Sequence, residues 1–195
     1  MCRSSEEPLH GTAHDSYTGD FVTLWSFLAH KKSALVKKWF DIVMEPYPAG
    51  TSSLLKNQEK QFTNPVGYTV SHGLENIFDK LIDEKGADFE AMVPFLDSIV
   101  RIRAVQDLRP SQALSFVFHL RNAIREELAS EAKEFCGEME ILESRIDAIA
   151  LMSFDIFVKC REKVYELKAN EVKNRTFRLL QMANLVSGGH KEQSD

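Results

Sequence analysis

The stretch RIRAVQDLRPSQA, residues 101–113, holds three arginines, two glutamines and an aspartate between two apolar runs. Two chemistries suit such a set. Arg101, Arg103 and Arg109 together could clamp an anion, with free backbone amides of a helix starting near Ser111 adding to the site. Alternatively, Arg101 pairs with Asp107 across a helix corner while Gln106 and Ser111 tie down backbone groups. The second arrangement fixes an interhelical angle and carries out no reaction. Arg101, Arg103, Gln106, Asp107, Arg109 and Ser111 are therefore candidate ligand or interface residues, and none is a candidate catalyst.

Other reactive types are scattered. His10 and His14 lie near the start, His190 near the end, and His30, His72 and His119 inside apolar-periodic segments. None forms HExxH or a close His/Cys/Asp cluster. His119 follows Phe116 and Phe118 and is the one histidine that suggests a haem ligand; the competing reading is a boundary histidine. Cys2, Cys136 and Cys160 lack the CxxC and zinc-ligand spacings, and a sparse odd count suits a reducing compartment. No GxSxG, GxGxxG or GxxxxGK[ST] run occurs. Carboxylates such as Asp79, Asp83, Asp97 and Glu126 are spaced as on a solvated helix face. No enzymatic activity, metal or cofactor is expected.

The elements that must carry these residues are helical. Phe21, Leu24, Trp25, Leu28, Leu35, Trp39, Ile42 and Val43 recur at helical spacing over about 21–44, and Pro46 and Pro48 end the run. A short helix is expected over about 52–61. Asn64-Pro65 starts another, running to about Asp83. The next covers about 88–105, with Pro94 moving its expected start toward Val93. Pro110-Ser111 opens one of about 20 residues, and a break is expected near 131–137. The last pattern, about 138–184, is long enough to suggest a protruding helix, a coiled coil or a kink, the kink placed at Met152-Ser153-Phe154. Trp39, Phe62, Phe95, Phe116 and Phe118 are candidates to line an apolar interhelical pocket for haem, lipid or another apolar ligand.

The totals agree with one all-α domain over 20–185, between a flexible arm (1–19) and a disordered tail (186–195). The 195 residues are 44 % hydrophobic and 27 % charged, a globular composition. The formal charge of -5 argues against nucleic acid and anionic membrane surfaces. No run reaches the roughly 18 apolar residues of a bilayer span. The polar start, MCRSSEEPLHGTAHDSYTGD, lacks the apolar core of a signal peptide, so membrane insertion is not expected and a cytoplasmic location is.

Three segments carry a family resemblance: KWFDIVMEPYP (38–48), FTNPVGYTV (62–70) and PFLDSIVRIRAVQDLRPSQALSFVF (94–118). They resemble the N-terminal domain of the RsbT co-antagonist protein RsbRD, the non-haem globin-like sensory domain of stressosome proteins. CREKVYELKANEVKNRTFRLL (160–180) is similar to the end of stand-alone members, and the likeness spans about 24–182. It implies a globin-like helical fold with a long C-terminal helix, no haem, usual dimerisation, and attachment to a STAS output domain or a histidine kinase. The family has no agreed catalytic residues. Asn64, Pro65, Gly67, Arg101, Arg103, Gln106, Asp107, Pro110 and Ser111 match its motifs as structural or interface positions. The stretch beyond residue 185 is too short for a STAS or kinase domain, so output is expected from a separate protein. The expected function is thus a signal-transducing sensor that forms a homodimer, passes its state to a separate STAS-domain protein or kinase, and uses its last helix as dimer seam or docking element.

Overall fold

A computed structural model describes residues 23–45, 64–106, 108–129 and 133–183. They form five helices: α1 (Leu24–Met44), α2 (Pro65–Leu81), α3 (Phe89–Ala104), α4 (Pro110–Leu128) and α5 (Cys136–Met182). Among the described residues there is no strand. The all-α, globin-like architecture with a long C-terminal helix is present; the short helix expected over 52–61 lies outside the described residues.

Local chemistry sets the starts. Thr23 Oγ1 accepts the Ser26 amide at 3.2 Å and caps α1 at Leu24; Phe21 lies outside the described residues. Asn64 Oδ1 accepts the Gly67 amide at 2.8 Å, with Pro65 in the first turn of α2. The start expected near Val93 is corrected: α3 begins at Phe89, because Asp88 Oδ1 accepts the Ala91 amide at 3.0 Å. Pro94 then sits inside the helix. Its missing N–H would have bonded the Glu90 carbonyl, and both residues are exposed, so the lost bond falls on the solvent side of the helix. Helix α5 is one helical span of 47 residues, about 70 Å, and it continues through Met152-Ser153-Phe154, none of which is Pro or Gly.

The core lies where α1, α2, α3 and α4 close on one another and on the first half of α5. Trp39 and Phe116 are both buried, stacked at 6.1 Å between ring centroids. The indole N–H of Trp39 donates to the Phe116 carbonyl at 2.7 Å, so this large residue is buried without an orphaned donor. Helices α2 and α3 approach closely at Gly73, where a Cβ would stand 2.9 Å from Ile99 Cδ1. Gly73→Val is therefore expected to lower the unfolding free energy by about 2–3 kcal/mol, measured by urea denaturation; an unchanged midpoint would show that α3 yields freely. The turn from α2 to α3 uses Gly86 at φ +129°, a conformation that favours glycine.

Met139, Leu142, Ile146, Ile149, Ser153 and Phe157 bind α5 to the body. Their spacing of three or four residues marks one helix face. No residue of the helix after Phe157 is buried.

Candidate functional site: the arginine corner and the outer face of the long helix

Arg101 and Arg103 are two residues apart in α3, which turns their side chains roughly 200° from each other. Arg103 points inward and is 1 % exposed. Its Nε donates to the Ala113 carbonyl at 2.7 Å, Nη1 to Val43 at 3.0 Å and Nη2 to Gln112 at 2.9 Å. The guanidinium also lies 5.6 Å from the Phe116 ring centroid. One side chain thereby ties the end of α3 to the last turn of α1 and the first turn of α4. Arg101 points outward and pairs with Asp97 one turn back, Nε to Oδ2 at 2.8 Å. Arg109 precedes α4, where its backbone N–H and Nε donate to Gln112 Oε1 at 3.1 and 3.3 Å. Ser111 is exposed in the first turn of α4, Gln106 is half-buried after α3, and Asp107 lies outside the described residues. Arg101 thus pairs apart from the other two, while Arg103 and Arg109 meet at Gln112, one on its backbone carbonyl and the other on its side chain.

The suggested aromatic pocket residues are also dispersed. Trp39 and Phe116 fill the core, whereas Phe95 tilts against His72 at 5.9 Å. Phe118 is exposed beside the Arg121 guanidinium, and Phe62 lies outside the described residues. His119 is half-buried, and its buried Nδ1 has no hydrogen-bond partner. Among the described residues, no three or more His, Cys, Asp or Glu side chains are grouped to hold a metal ion.

Helix α5 supplies positions that sequence periodicity does not distinguish. Glu138 Oε2 accepts the Leu24 amide at 3.0 Å, placing a carboxylate at the positive end of α1. Arg145 Nη1 donates to the Leu81 and Asp83 carbonyls at 2.7 and 2.9 Å, at the negative end of α2. It stacks 4.4 Å from the Trp25 ring centroid, and burial pushes its guanidinium below the ordinary arginine range. Arg161 Nη1 donates to the Ala104 carbonyl at 3.2 Å, at the end of α3. Three ends of three helices are thus capped by side chains of the favourable sign from one helix. The cue in sequence is a charged residue at each edge of the apolar stripe, which the same pattern on a solvated helix would also show.

Next to Arg161, burial pushes the Cys160 thiol up, the Arg101 guanidinium pulls it down, and Asp97 adds to the rise. Cys136 is exposed. Iodoacetamide at pH 7 is expected to alkylate Cys160 about ten-fold more slowly than Cys136, by peptide mapping; equal rates would contradict the burial of the thiol.

Away from the body, α5 carries an apolar series at seven-residue spacing: Leu151, Val158, Tyr165, Val172 and Leu179. Val158 is half-buried, and the others range from 56 % exposed (Tyr165) to 70 % (Leu151). One flank of the series holds Arg161, Lys168 and Arg175, and the other holds Asp155, Glu162, Ala169 and Thr176. Arg125 pairs with Glu143 (Nε–Oε1 3.0 Å) and Arg121 with Asp147, so α4 runs antiparallel to α5.

Residues 33–172 match the family model described as the RsbT co-antagonist protein rsbRD N-terminal domain. The chain belongs to this family. Its role is accordingly sensory and regulatory in signal transduction, and non-enzymatic, as for stressosome RsbR-type input domains. No curated protein and no solved structure matches the chain. No helix among the described residues is long and apolar enough to cross a membrane. Within the family motifs, the geometry gives Asn64, Pro65 and Gly67 a helix start and Arg103 a three-helix junction.

Proposed function

We propose that this RsbRD N-terminal domain is a cytoplasmic sensor that works as a parallel homodimer and delivers its state to a separate partner through the far end of α5. The observation that carries this is the largely exposed seven-residue series from Leu151 to Leu179 on a helix whose other face is committed to the body only as far as Phe157. Residues 165–182 span about 27 Å, and a solvated helix of that length is marginal alone. An apolar seam shared with a second copy would stabilise it.

Charge selects the orientation. In a parallel pair, each helix sets one flank against the opposite flank of its partner; in an antiparallel pair, like flanks meet. Parallel pairing places the Arg161, Lys168 and Arg175 flank against the flank of Asp155, Glu162, Ala169 and Thr176. Antiparallel pairing places basic side chains against basic ones. A change in the body would reach the partner as a small shift of packed helices carried along α5. Both copies then present their free ends together, where a STAS-domain protein or a kinase would engage them. Sedimentation equilibrium over a wide concentration range tests the assembly: the mass of two chains is expected at micromolar concentration, and one chain throughout would exclude it.

A second reading, a carrier for haem or another apolar ligand, draws on the half-buried His119 and its unpartnered Nδ1. It requires excess mass in the native spectrum that disappears on denaturation, and a Soret band if the ligand is haem.

A further inference from the structure

We propose that Arg161 is a latch that couples the α1–α3–α4 junction to the part of α5 that leaves the body. Two consecutive residues of α3 belong to two different grips. Arg103 holds the carbonyls of Val43, Gln112 and Ala113, so it follows any displacement of α1 against α4. Its neighbour Ala104 offers its carbonyl to Arg161 of α5 at 3.2 Å. The last turn of α3 is therefore gripped on one side by the junction and on the other by the long helix. It cannot tilt or unwind without pulling on both.

Arg161 stands near the point where α5 leaves the body, beyond the last buried residue, Phe157. From Tyr165 onward every described residue is exposed. The second guanidinium nitrogen of Arg161 donates to Tyr165 Oη at 2.8 Å, and the guanidinium lies 5.1 Å from the Tyr165 ring centroid. Tyr165 is itself the central member of the apolar series, and Arg161 occupies its basic flank. These side chains thus have two alternative employments. With the latch closed, Arg161 sits on the end of α3 and draws Tyr165 with it. With the α3 turn displaced, Arg161 loses the Ala104 carbonyl, and both side chains are free to face a second helix. The junction and the seam are coupled through one guanidinium.

This rests on α5 being the output helix. Oligomeric state is measured separately by sedimentation, so failure of the coupling and failure of the dimer are distinguishable. The test is hydrogen exchange on the full chain, at a concentration where sedimentation shows single chains so that seam contacts do not mask loosening, comparing wild type with Arg103→Lys, Arg161→Gln and the double variant. Arg161→Gln is expected to raise exchange over 162–170 by about ten-fold and leave 24–44 unchanged. Arg103→Lys is expected to raise exchange over both 101–105 and 162–170, by roughly five-fold. In the Arg161→Gln background, adding Arg103→Lys should still loosen 101–105 while giving no further increase over 162–170, the signature of residues acting through one path. The proposal is overturned if Arg103→Lys loosens 101–105 alone, or if the two increases over 162–170 multiply. If Arg103→Lys does not fold, Tyr165→Phe takes its place. Loss of the hydroxyl should raise exchange over 162–170 by about two-fold, and no change there would overturn the latch equally.

Discussion

Replacing Arg103 with alanine is expected to lower the unfolding free energy by about 3–5 kcal/mol, enough to leave a domain of ordinary stability near its threshold. The reason is the loss of three hydrogen bonds from one charged donor. The carbonyls of Val43, Gln112 and Ala113 all receive this guanidinium, two of the three bonds being fully buried. Val43, in the last turn of α1, is left without an intrahelical donor at a cost of about 1–3 kcal/mol, whereas Gln112 keeps Ser115 Oγ at 3.1 Å. Truncation also opens a void against Phe116, whose ring faces the guanidinium. Arg103→Lys retains a charged donor but has no planar fork and cannot reach three carbonyls in the same geometry. Its loss should fall near 1–2 kcal/mol. Arg101→Ala, by contrast, removes an exposed pair with Asp97 and should change stability by less than about 0.5 kcal/mol. Urea denaturation followed by circular dichroism separates the three variants; equal effects at 101 and 103 would contradict the inward path of Arg103.

The second large effect concerns assembly. Leu151→Glu and Val172→Glu are each expected to weaken self-association by about 100-fold or more, since each places a carboxylate in an apolar seam. Both side chains are exposed in the single chain, so its unfolding free energy should move by no more than about 0.5 kcal/mol. Ile141→Glu provides the contrast. Ile141 is an exposed apolar residue of the same helix, but it lies off the seven-residue series, and its replacement should leave association unchanged. Sedimentation equilibrium reads all three. Equal loss at 141 and 151 would mean that general apolarity, and not this stripe, drives association.

How far the sequence discloses this molecule depends on which forces are local. The starts of α2 and α4 are legible because Asn64-Pro65 and Pro110 act within one turn. The start of α3 is misplaced when Pro94 is weighted over Asp88, because a proline on a solvent face disturbs only one exposed carbonyl. The extent of α5 is legible, because the pattern over about 138–184 has no internal stop, although the same length also suggests a kink or a coiled coil. The arginine corner can be located in the sequence, but its division of labour cannot. Burial of Arg103 depends on Val43, sixty residues away in sequence, and no local spacing reports that. The same holds for Glu138, Arg145 and Arg161, whose partners are ends of other helices. On the outer face of α5, the heptad spacing is present in the sequence throughout. It becomes informative only once α5 is seen to leave the body after Phe157.

The most direct test of the parallel dimer is a set of electron–electron distance measurements on full-length protein with Cys2, Cys136 and Cys160 replaced. One sample carries spin labels at Lys159 and another at Asn174, two exposed positions of α5 fifteen residues, or about 22 Å, apart along the helix. Parallel helices in register hold both symmetry-related label pairs at similar short separations, of order 15–30 Å with the label arms included. Antiparallel helices match both pairs only by crossing midway between the sites, which leaves each pair about 22 Å apart along the axis. A third sample labelled at exposed Lys168, near that midpoint, then reads clearly shorter than the other two; if the helices cross near one labelled site instead, the other pair is about 45 Å apart. Similar short distances at all three sites would establish that the free ends of α5 are delivered together, as a shared output requires. A distance at Lys168 clearly shorter than the other two, one short and one long distance, or no dipolar signal, would contradict it.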